Sequence, residues 1–474
     1  MSRFFFKFFS KIIILLCFLA PGLGFSSDFN KILNDFKKLG IPKESIGISI
    51  TKAPTQIYPV KTENFGINQN LPFNPASVVK LVTTRVALDL MGGNHRFETT
   101  LTTNGEVING VLNADVFITG GGDPKLVIED IEQIVTKLRD SGLNEINGNW
   151  IVDDSLFGES EINPSNFDGQ PFKPYNVGPN AAMINFKSSQ IIIRNYHKRR
   201  VSIMLKPELA GVRIKNNLKK IRGGCNKNLI STRLNNGVLR VFGKFGRKCK
   251  KHSFYVSLMN HHQFGFSVFK KAWNKSGGKF TGSVFKGKTP ENSKLLVKWK
   301  SPRPLIELIK DINSMSNNPM ARTLFLNLSA RTSKQASIEK SKKVVQKWLS
   351  ERNFAFPEMI IHNGSGLSRE VRITSHNLTS LLIDALGDSN AFDWICTLPM
   401  VGLEGTVSKR FKNKPIVGNA WLKTGSLKGV QAYSGYIRTV KKNWFVLTIL
   451  INDKFAEKAK KTMDSLVEWV YFNK

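Results

Sequence analysis

Apolar and polar positions alternate over 45–52, SIGISITK, as they do in a strand with one buried face. Asn74-Pro75 punctuates the chain, and SVVKLVTTRVALDLMGG follows, with apolar residues at helical spacing and a Gly-Gly stop. Between 97 and 186 the pattern shortens to strand-like runs, FETTLTT, VLNADVFITG and INGNWIVDD, separated by the turn clusters GGGDP and NPSNFDGQP. From 187 to 261 short β-like runs persist but fill with Lys and Arg. Helical spacing returns at 303–329, 334–352 and 375–387. The last part predicts three strands, WLKTG, VQAYSGYIRT and WFVLTILIND, and a closing helix over 454–471. Helix and strand at both ends of a β-rich middle predict one α+β domain split by a large insertion.

The first 24 residues stand apart from this pattern. Arg3, Lys7 and Lys11 precede an apolar run from 12 to 20, which is too short to span a bilayer by itself. Gly22 and Gly24 then stand at the spacing that a signal peptidase reads, so 1–24 is expected to be a cleaved secretory signal peptide. Leu15 and Leu16 precede Cys17 where a lipoprotein signal needs a small residue, so no lipid anchor is expected. Export places the other cysteines in an oxidising compartment. Cys225 and Cys249 lie 24 apart in one segment and are expected to form a disulfide, while Cys396 reads as a buried free thiol.

The charge sharpens the picture of the middle. Lys and Arg total 70 against 35 Asp and Glu, a formal charge of +35. Residues 187–300 hold 28 basic and 2 acidic groups, so most of the excess belongs to that one segment. Such an excess suggests nucleic acid, a membrane surface or an acidic polymer as partner, and export removes nucleic acid from that set. Electrostatic contact with an anionic cell wall or membrane surface stays as one reading, beside plain compositional drift toward lysine.

Most devices of secreted hydrolases are missing from the chain. There is no HExxH pattern, and no histidine accompanies a GxSxG elbow, so no metal, cofactor or Ser-His-Asp triad is expected. The adjacent His261 and His262 read as surface polar residues. A histidine-free device does fit. Ser77-Val78-Val79-Lys80 opens a helix, and a spacing of three puts hydroxyl and amine on one face. A lysine held near other cations or in an apolar site loses its proton and can take the one from Ser77. The plain alternative is a Ser N-cap beside an exposed Lys. Ser316-Asn317-Asn318 offers a hydroxyl and an amide at a helix start. Lys423-Thr424-Gly425 lies in a strand, where it presents an ammonium, a hydroxyl and an edge for backbone pairing, and the glycine admits close approach of substrate backbone.

In the order SxxK, SxN, KTG, behind a signal peptide, these motifs resemble the penicillin-binding proteins of the D-alanyl-D-alanine carboxypeptidase and endopeptidase type. The chain is similar to the type-4 low-molecular-mass group, whose first two motifs are separated by a large insertion; here Lys80 and Ser316 are 236 positions apart. PASVVKLVTT, ITGGGDPKL, PYNVGPNAAMINF, NGSGLSR, TLPMVGLEGT with Arg410, and LKTGSLKGVQAYSGYI extend the resemblance over most of the mature chain. Asn317, Arg322, Asn363 and Glu404 depart from the family pattern without removing a catalytic group.

The resemblance implies a penicillin-binding/β-lactamase-like transpeptidase domain, an antiparallel sheet flanked by helices, interrupted by two smaller β-rich domains. It divides the chain into a catalytic part over 25–94, an accessory domain over 95–186, a nested basic domain over 187–261 and a second catalytic part over 262–474. It further implies an exported, periplasmic peptidase, peripheral at most to the membrane, that cleaves D-Ala-D-Ala type bonds in peptidoglycan muropeptides and is acylated by β-lactams. Ser77 is then the nucleophile, Lys80 its base and Ser316 the proton relay. Asn318, Lys423, Thr424 and Gly425 hold the substrate, and the backbone N–H groups of Ser77 and Ser426 form the oxyanion hole. Two other readings are a peptidoglycan-binding protein that keeps the fold without catalysis and a β-lactamase-like hydrolase.

Overall fold

The computed structural model describes residues 27–54, 64–158, 162–196, 200–226 and 229–474; the expected signal peptide lies outside them. The strand expected at 45–52 forms as Ile46–Lys52 and pairs antiparallel with Trp444–Asn452, so the two ends of the chain share one sheet. The order across this five-stranded antiparallel sheet is Asn64–Ile67, Ile46–Lys52, Trp444–Asn452, Val430–Arg438, Ala420–Leu427. The KTG strand, Ala420–Leu427, is therefore an edge.

The alternation over 45–52 suggested one solvated face, yet residues 46–51 are all buried. Both faces carry a helical layer. On one, Phe29 and Phe36 of the helix Ser27–Lys38 pack with Met463 and Val467 of the helix Lys460–Asn473. On the other lie the helices Lys80–Met91, Leu305–Met315, Asn318–Ala330, Ile338–Glu351 and Ser375–Asp384, sharing a core that includes Val82, Leu308, Leu324 and Leu381. Three small hydroxyls at this second face satisfy one another, whereas Ser49 Oγ, opposite Thr448, is buried without a hydrogen-bond partner among the described residues. Thr379 donates to Thr448 at 3.0 Å, and Ser434 and Thr448 lie 2.8 Å apart. Small side chains let a helix lie close to the sheet, and pairing the hydroxyls removes the cost of burying them.

The insertion is built on a second five-stranded sheet, in the order Val284–Lys286, Trp150–Asp153, Val116–Gly120, Glu98–Thr103, Lys294–Lys300. Trp150 stacks on Phe269 of the helix His261–Lys275 with ring centroids 4.1 Å apart. Inside this unit, Ser189–Tyr196 pairs with Arg200–Lys206 and Lys251–Val256, and Val238–Gly246 pairs with Arg213–Ile221 and Ile230–Asn235. Ile191 and Ile193 of the first small sheet and Leu239 and Val241 of the second point into one core. Cys225 and Cys249 are bonded through their sulfurs near one end of these strands.

The return to the catalytic part, expected at 262, falls after Lys300. Residues 284–286 pair with 150–152, and 294–300 pair with 98–103, so the segment from 262 to 300 completes the accessory sheet. Phe264, Val268 and Trp273 bury in the accessory core as well. Helical periodicity marks an element but not the body it packs against, which is why the sequence pattern misplaced this boundary.

Candidate active site

The turn before Ser77 is held from both sides. The Asn452 side chain accepts from Asn74 N at 2.7 Å and donates to Asn74 O at 3.0 Å. The Asn74 side chain accepts from Ala76 N at 2.8 Å and donates to Ser368 O at 3.0 Å. Between these clamps Ala76 takes φ +47°, a left-handed conformation that costs a non-glycine residue of order 1–3 kcal/mol. Two glycines make room for the elbow. A Cβ at Gly366 would lie 1.9 Å from Ala76 O, and one at Gly425 would lie 2.5 Å from Pro75 O and 3.1 Å from Ser77 N. The bareness of Gly425 thus serves the elbow directly, where the sequence had suggested room for substrate.

Ser77 opens as part of a 3₁₀ turn, Ala76–Val79, that continues into the helix Lys80–Met91. Its side chain is partly exposed, whereas Lys80 is fully buried, against the alternative of an exposed lysine. The Lys80 amine lies 2.9 Å from Ser77 Oγ and 2.7 Å from Asn318 Oδ1, and bonds the Ser365 carbonyl. Burial, then the charges of Lys423 and Arg322, hold the Lys80 amine well below the usual lysine range. A neutral amine has two N–H donors and one lone pair. With Asn318 Oδ1 and Ser365 O taking the two donors, the lone pair faces the hydroxyl of Ser77.

Ser316 and Lys423 form the second half. The helical run expected over 303–329 breaks here into Leu305–Met315 and Asn318–Ala330, with Ser316 left-handed at φ +56°. Asn317 caps the second helix by accepting from Met320 N at 3.1 Å, and Pro319 occupies its first turn. This break aims Ser316 Oγ at the Lys423 amine, 2.9 Å away. Lys423 also donates to Thr424 O at 2.9 Å and is fully buried, which lowers its ammonium to about 7.

The exposed edge of the KTG strand follows by parity. Leu422 N donates outward to Pro399 O at 3.1 Å, so the N–H groups of Thr424 and Ser426, two and four residues on, face the same side. Thr424 Oγ1 meets Thr406 Oγ1 at 2.8 Å, and Ser426 Oγ donates to Gln431 at 2.9 Å. The site thus brings Ser77, Lys80, Ser316, Asn318, Lys423, Thr424, Gly425 and Ser426 together. Cys225 and Cys249 lie in the connections between the nested strands.

Several residues had no role assigned in the sequence reading. Ser365 acts through its carbonyl, for which no side-chain motif speaks. Tyr175 O, from the insertion, accepts from Asn318 Nδ2 at 3.2 Å. Arg322 is buried and donates to Asn176 O and Val177 O at 3.2 and 2.8 Å, so it ties the insertion to the helix Asn318–Ala330. Arg410 pairs with Asp464 at 2.6 Å and lies over the Tyr433 ring. Two assignments need correction. His262 is half-buried and lies 2.9 Å from the buried Asp154, and burial lowers its half-buried neighbour His261 to about 3, so neither is a simple surface group. Cys396 is free but only half-buried.

A D-alanyl-D-alanine carboxypeptidase of Haemophilus influenzae is 25% identical over 374 residues, 77% of this chain and 78% of its own. Another, from Actinomadura, is 22% identical over 381 residues, 77% of this chain and 70% of its own. The crystal structure of penicillin-binding protein 4 from H. influenzae matches with a TM-score of 0.72 at 22% identity, over 91% of this chain and 99% of its own. The same protein complexed with a β-lactam matches with a TM-score of 0.71. The sequence profile of one peptidase family matches residues 28–471, almost from the first described helix to the end of the last. The chain belongs to the D-Ala-D-Ala carboxypeptidase 3 (S13) family, whose peptidases are of the serine type.

Proposed function

We propose that the chain is an exported serine D,D-peptidase of the cell wall, cleaving D-Ala-D-Ala type bonds in peptidoglycan muropeptides through an acyl-serine, and that β-lactams acylate the same serine. Carboxypeptidase and endopeptidase cleavage share the acylation step and differ only in what leaves. The observation that carries the reading is the Lys80 amine, buried without a carboxylate among its three hydrogen-bond partners, with its third bond on Ser77 Oγ.

In this reading neutral Lys80 takes the Ser77 proton as Oγ attacks the carbonyl carbon between the two D-alanines. Negative charge develops on that carbonyl oxygen, and the N–H groups of Ser77 and Ser426 stabilise it. Ser316, beside the Lys423 ammonium, relays the proton taken up by Lys80 to the leaving amine, which leaves Ser316 protonated and Lys80 neutral again. Lys423 and Thr424 hold the terminal carboxylate, and Asn318 holds the substrate amide once the carbonyl of Tyr175 yields its Nδ2 donor. Water then opens the ester. The leader over 1–24, outside the described residues, supports export, and among the described residues no helix is long and apolar enough to cross a membrane.

The test is release of D-alanine from a peptide ending in D-Ala-D-Ala, beside cleavage of a cross-linked muropeptide dimer. Wild-type protein should turn over at least one of these. Ser77→Ala should lose about 10³-fold or more, and Lys80→Gln about 10²–10⁴-fold, the ordinary worth of a positioned base. Turnover that survives Ser77→Ala, or a folded wild type inert on both substrates, overturns the reading.

A further inference from the structure

We propose that the outer face of the nested sheet formed by Arg213–Ile221, Val238–Gly246 and Ile230–Asn235 is a docking surface for anionic phospholipid headgroups, with Phe242 as its apolar anchor. The register puts cations in rows. Lys215, Arg240 and Arg233 stand side by side across the three strands, and Lys219 stands beside Lys244 two layers on. Arg213 extends the first column. All six side chains are exposed, and none of them is in an ion pair among the described residues. Glu208, the one acid between 187 and 251, is engaged by Lys271 at 2.8 Å.

Like charges directly opposite each other on a sheet destabilise it. Strand spacing of about 4.8 Å and a same-face repeat of about 6.7 Å concentrate these six charges on a patch only a few strands wide. Packing does not call for them, since the opposite face, with Leu239 and Val241 fully buried, is the one that holds the core. The layer between the two cation rows reads Asn217, Phe242, Ser231. Phe242 is 39% exposed, and its cross-strand neighbours are both polar. A soluble anionic polymer would use the cations and leave the ring in water. At a bilayer surface the same ring enters the headgroup–acyl boundary while the cations meet phosphates. The ring therefore favours the lipid surface.

The inference rests on the export proposed above, and not on the peptidase chemistry. The leaderless chain is cosedimented with phosphatidylcholine vesicles and with vesicles containing about one-third phosphatidylglycerol, across a salt series. Binding to the anionic vesicles alone, weakening as salt rises, is expected. Lys215→Gln/Arg233→Gln/Arg240→Gln should weaken it roughly a hundredfold, at about fivefold per charge. Phe242→Ser should weaken it roughly tenfold without changing the salt slope. Lys219→Gln/Lys244→Gln is the second variant should the triple fail to fold. Peptidase activity on a soluble peptide should be unchanged in all of them, so vesicle binding and catalysis fail separately. Equal binding to neutral vesicles, indifference to both charge variants, or binding to isolated cell wall without binding to vesicles overturns the proposal.

Discussion

Lys80 owes its chemistry to what surrounds it. The SxxK spacing made the pairing with Ser77 legible, because helical geometry alone brings the two side chains together. The acceptors Asn318 Oδ1 and Ser365 O come from 238 and 285 positions away, and one of them is a backbone carbonyl, so no local pattern could announce them. Asn318→Leu removes one of the two groups that turn the Lys80 lone pair toward Ser77. It should lower the acylation rate by roughly a hundredfold, as expected for a misplaced catalytic group, with little change in thermal stability. Stopped-flow acylation by a chromogenic β-lactam measures it.

Lys423 gives a pH signature at the same scale. Its value of about 7 means that the free enzyme loses this cation as pH rises past neutrality. In the proposed mechanism Lys80 works in the opposite sense, since a base must be neutral to take the Ser77 proton. For a peptide with a free C-terminal carboxylate, kcat/KM should therefore fall on the alkaline side of about 7. A bound carboxylate opposes the loss of charge, so the matching limb in kcat should lie at higher pH. A pH profile with the C-terminally amidated peptide checks the assignment, because that substrate should lack the alkaline limb.

Among the elements, the elbow and the edge strand depend on each other. The strand was legible from β-branched and aromatic runs, and the helix after Ser77 from its apolar spacing. The break at Ser316 was legible only in part: Ser316-Asn317-Asn318 reads as a helix start, while apolar positions keep helical spacing straight through 303–329. The capping Asn317 and Pro319 behind it mark that start, but nothing local marks the left-handed Ser316 that ends the helix before it. Such a local departure from pattern coincides here with the site, where strain serves function. Gly425→Ala tests the contact between strand and elbow. Its Cβ would stand 2.5 Å from Pro75 O, so strand and elbow must separate. Acylation should fall roughly a hundredfold while the melting temperature moves little, since the strand is an edge. An unchanged rate would mean that the elbow tolerates the shift.

At the scale of the whole molecule, the helix Asn318–Ala330 carries the insertion. Asn318, Arg322 and Asn327 bond Tyr175 O, Asn176 O with Val177 O, and Gly122 O in turn along it. The existence of an insertion was legible in the change of texture and charge; its far boundary was not, because strands of 284–300 pair with partners more than 130 positions back. Beside Gly122, burial raises Asp123 to about 6 from an ordinary 3.8. The native state then keeps a proton that the unfolded chain has lost, so this residue lowers stability as pH rises between those values. Asp123→Asn should remove that loss, worth about 3 kcal/mol at most, and urea unfolding of both proteins at acid and neutral pH should show the difference closing at low pH. The bond between Cys225 and Cys249 leaves a single titratable thiol, Cys396, in the unreduced, leaderless chain after unfolding.

The central claim is that Ser77, activated by Lys80, forms a covalent acyl-enzyme. Labelling with a fluorescent penicillin, followed by a denaturing gel and mapping of the labelled peptide, tests it most directly. The account predicts a stable adduct on Ser77, absent in Ser77→Ala and formed far more slowly in Lys80→Gln. An absent adduct, an adduct on another residue, or one that hydrolyses within seconds, as in a β-lactamase, would contradict it.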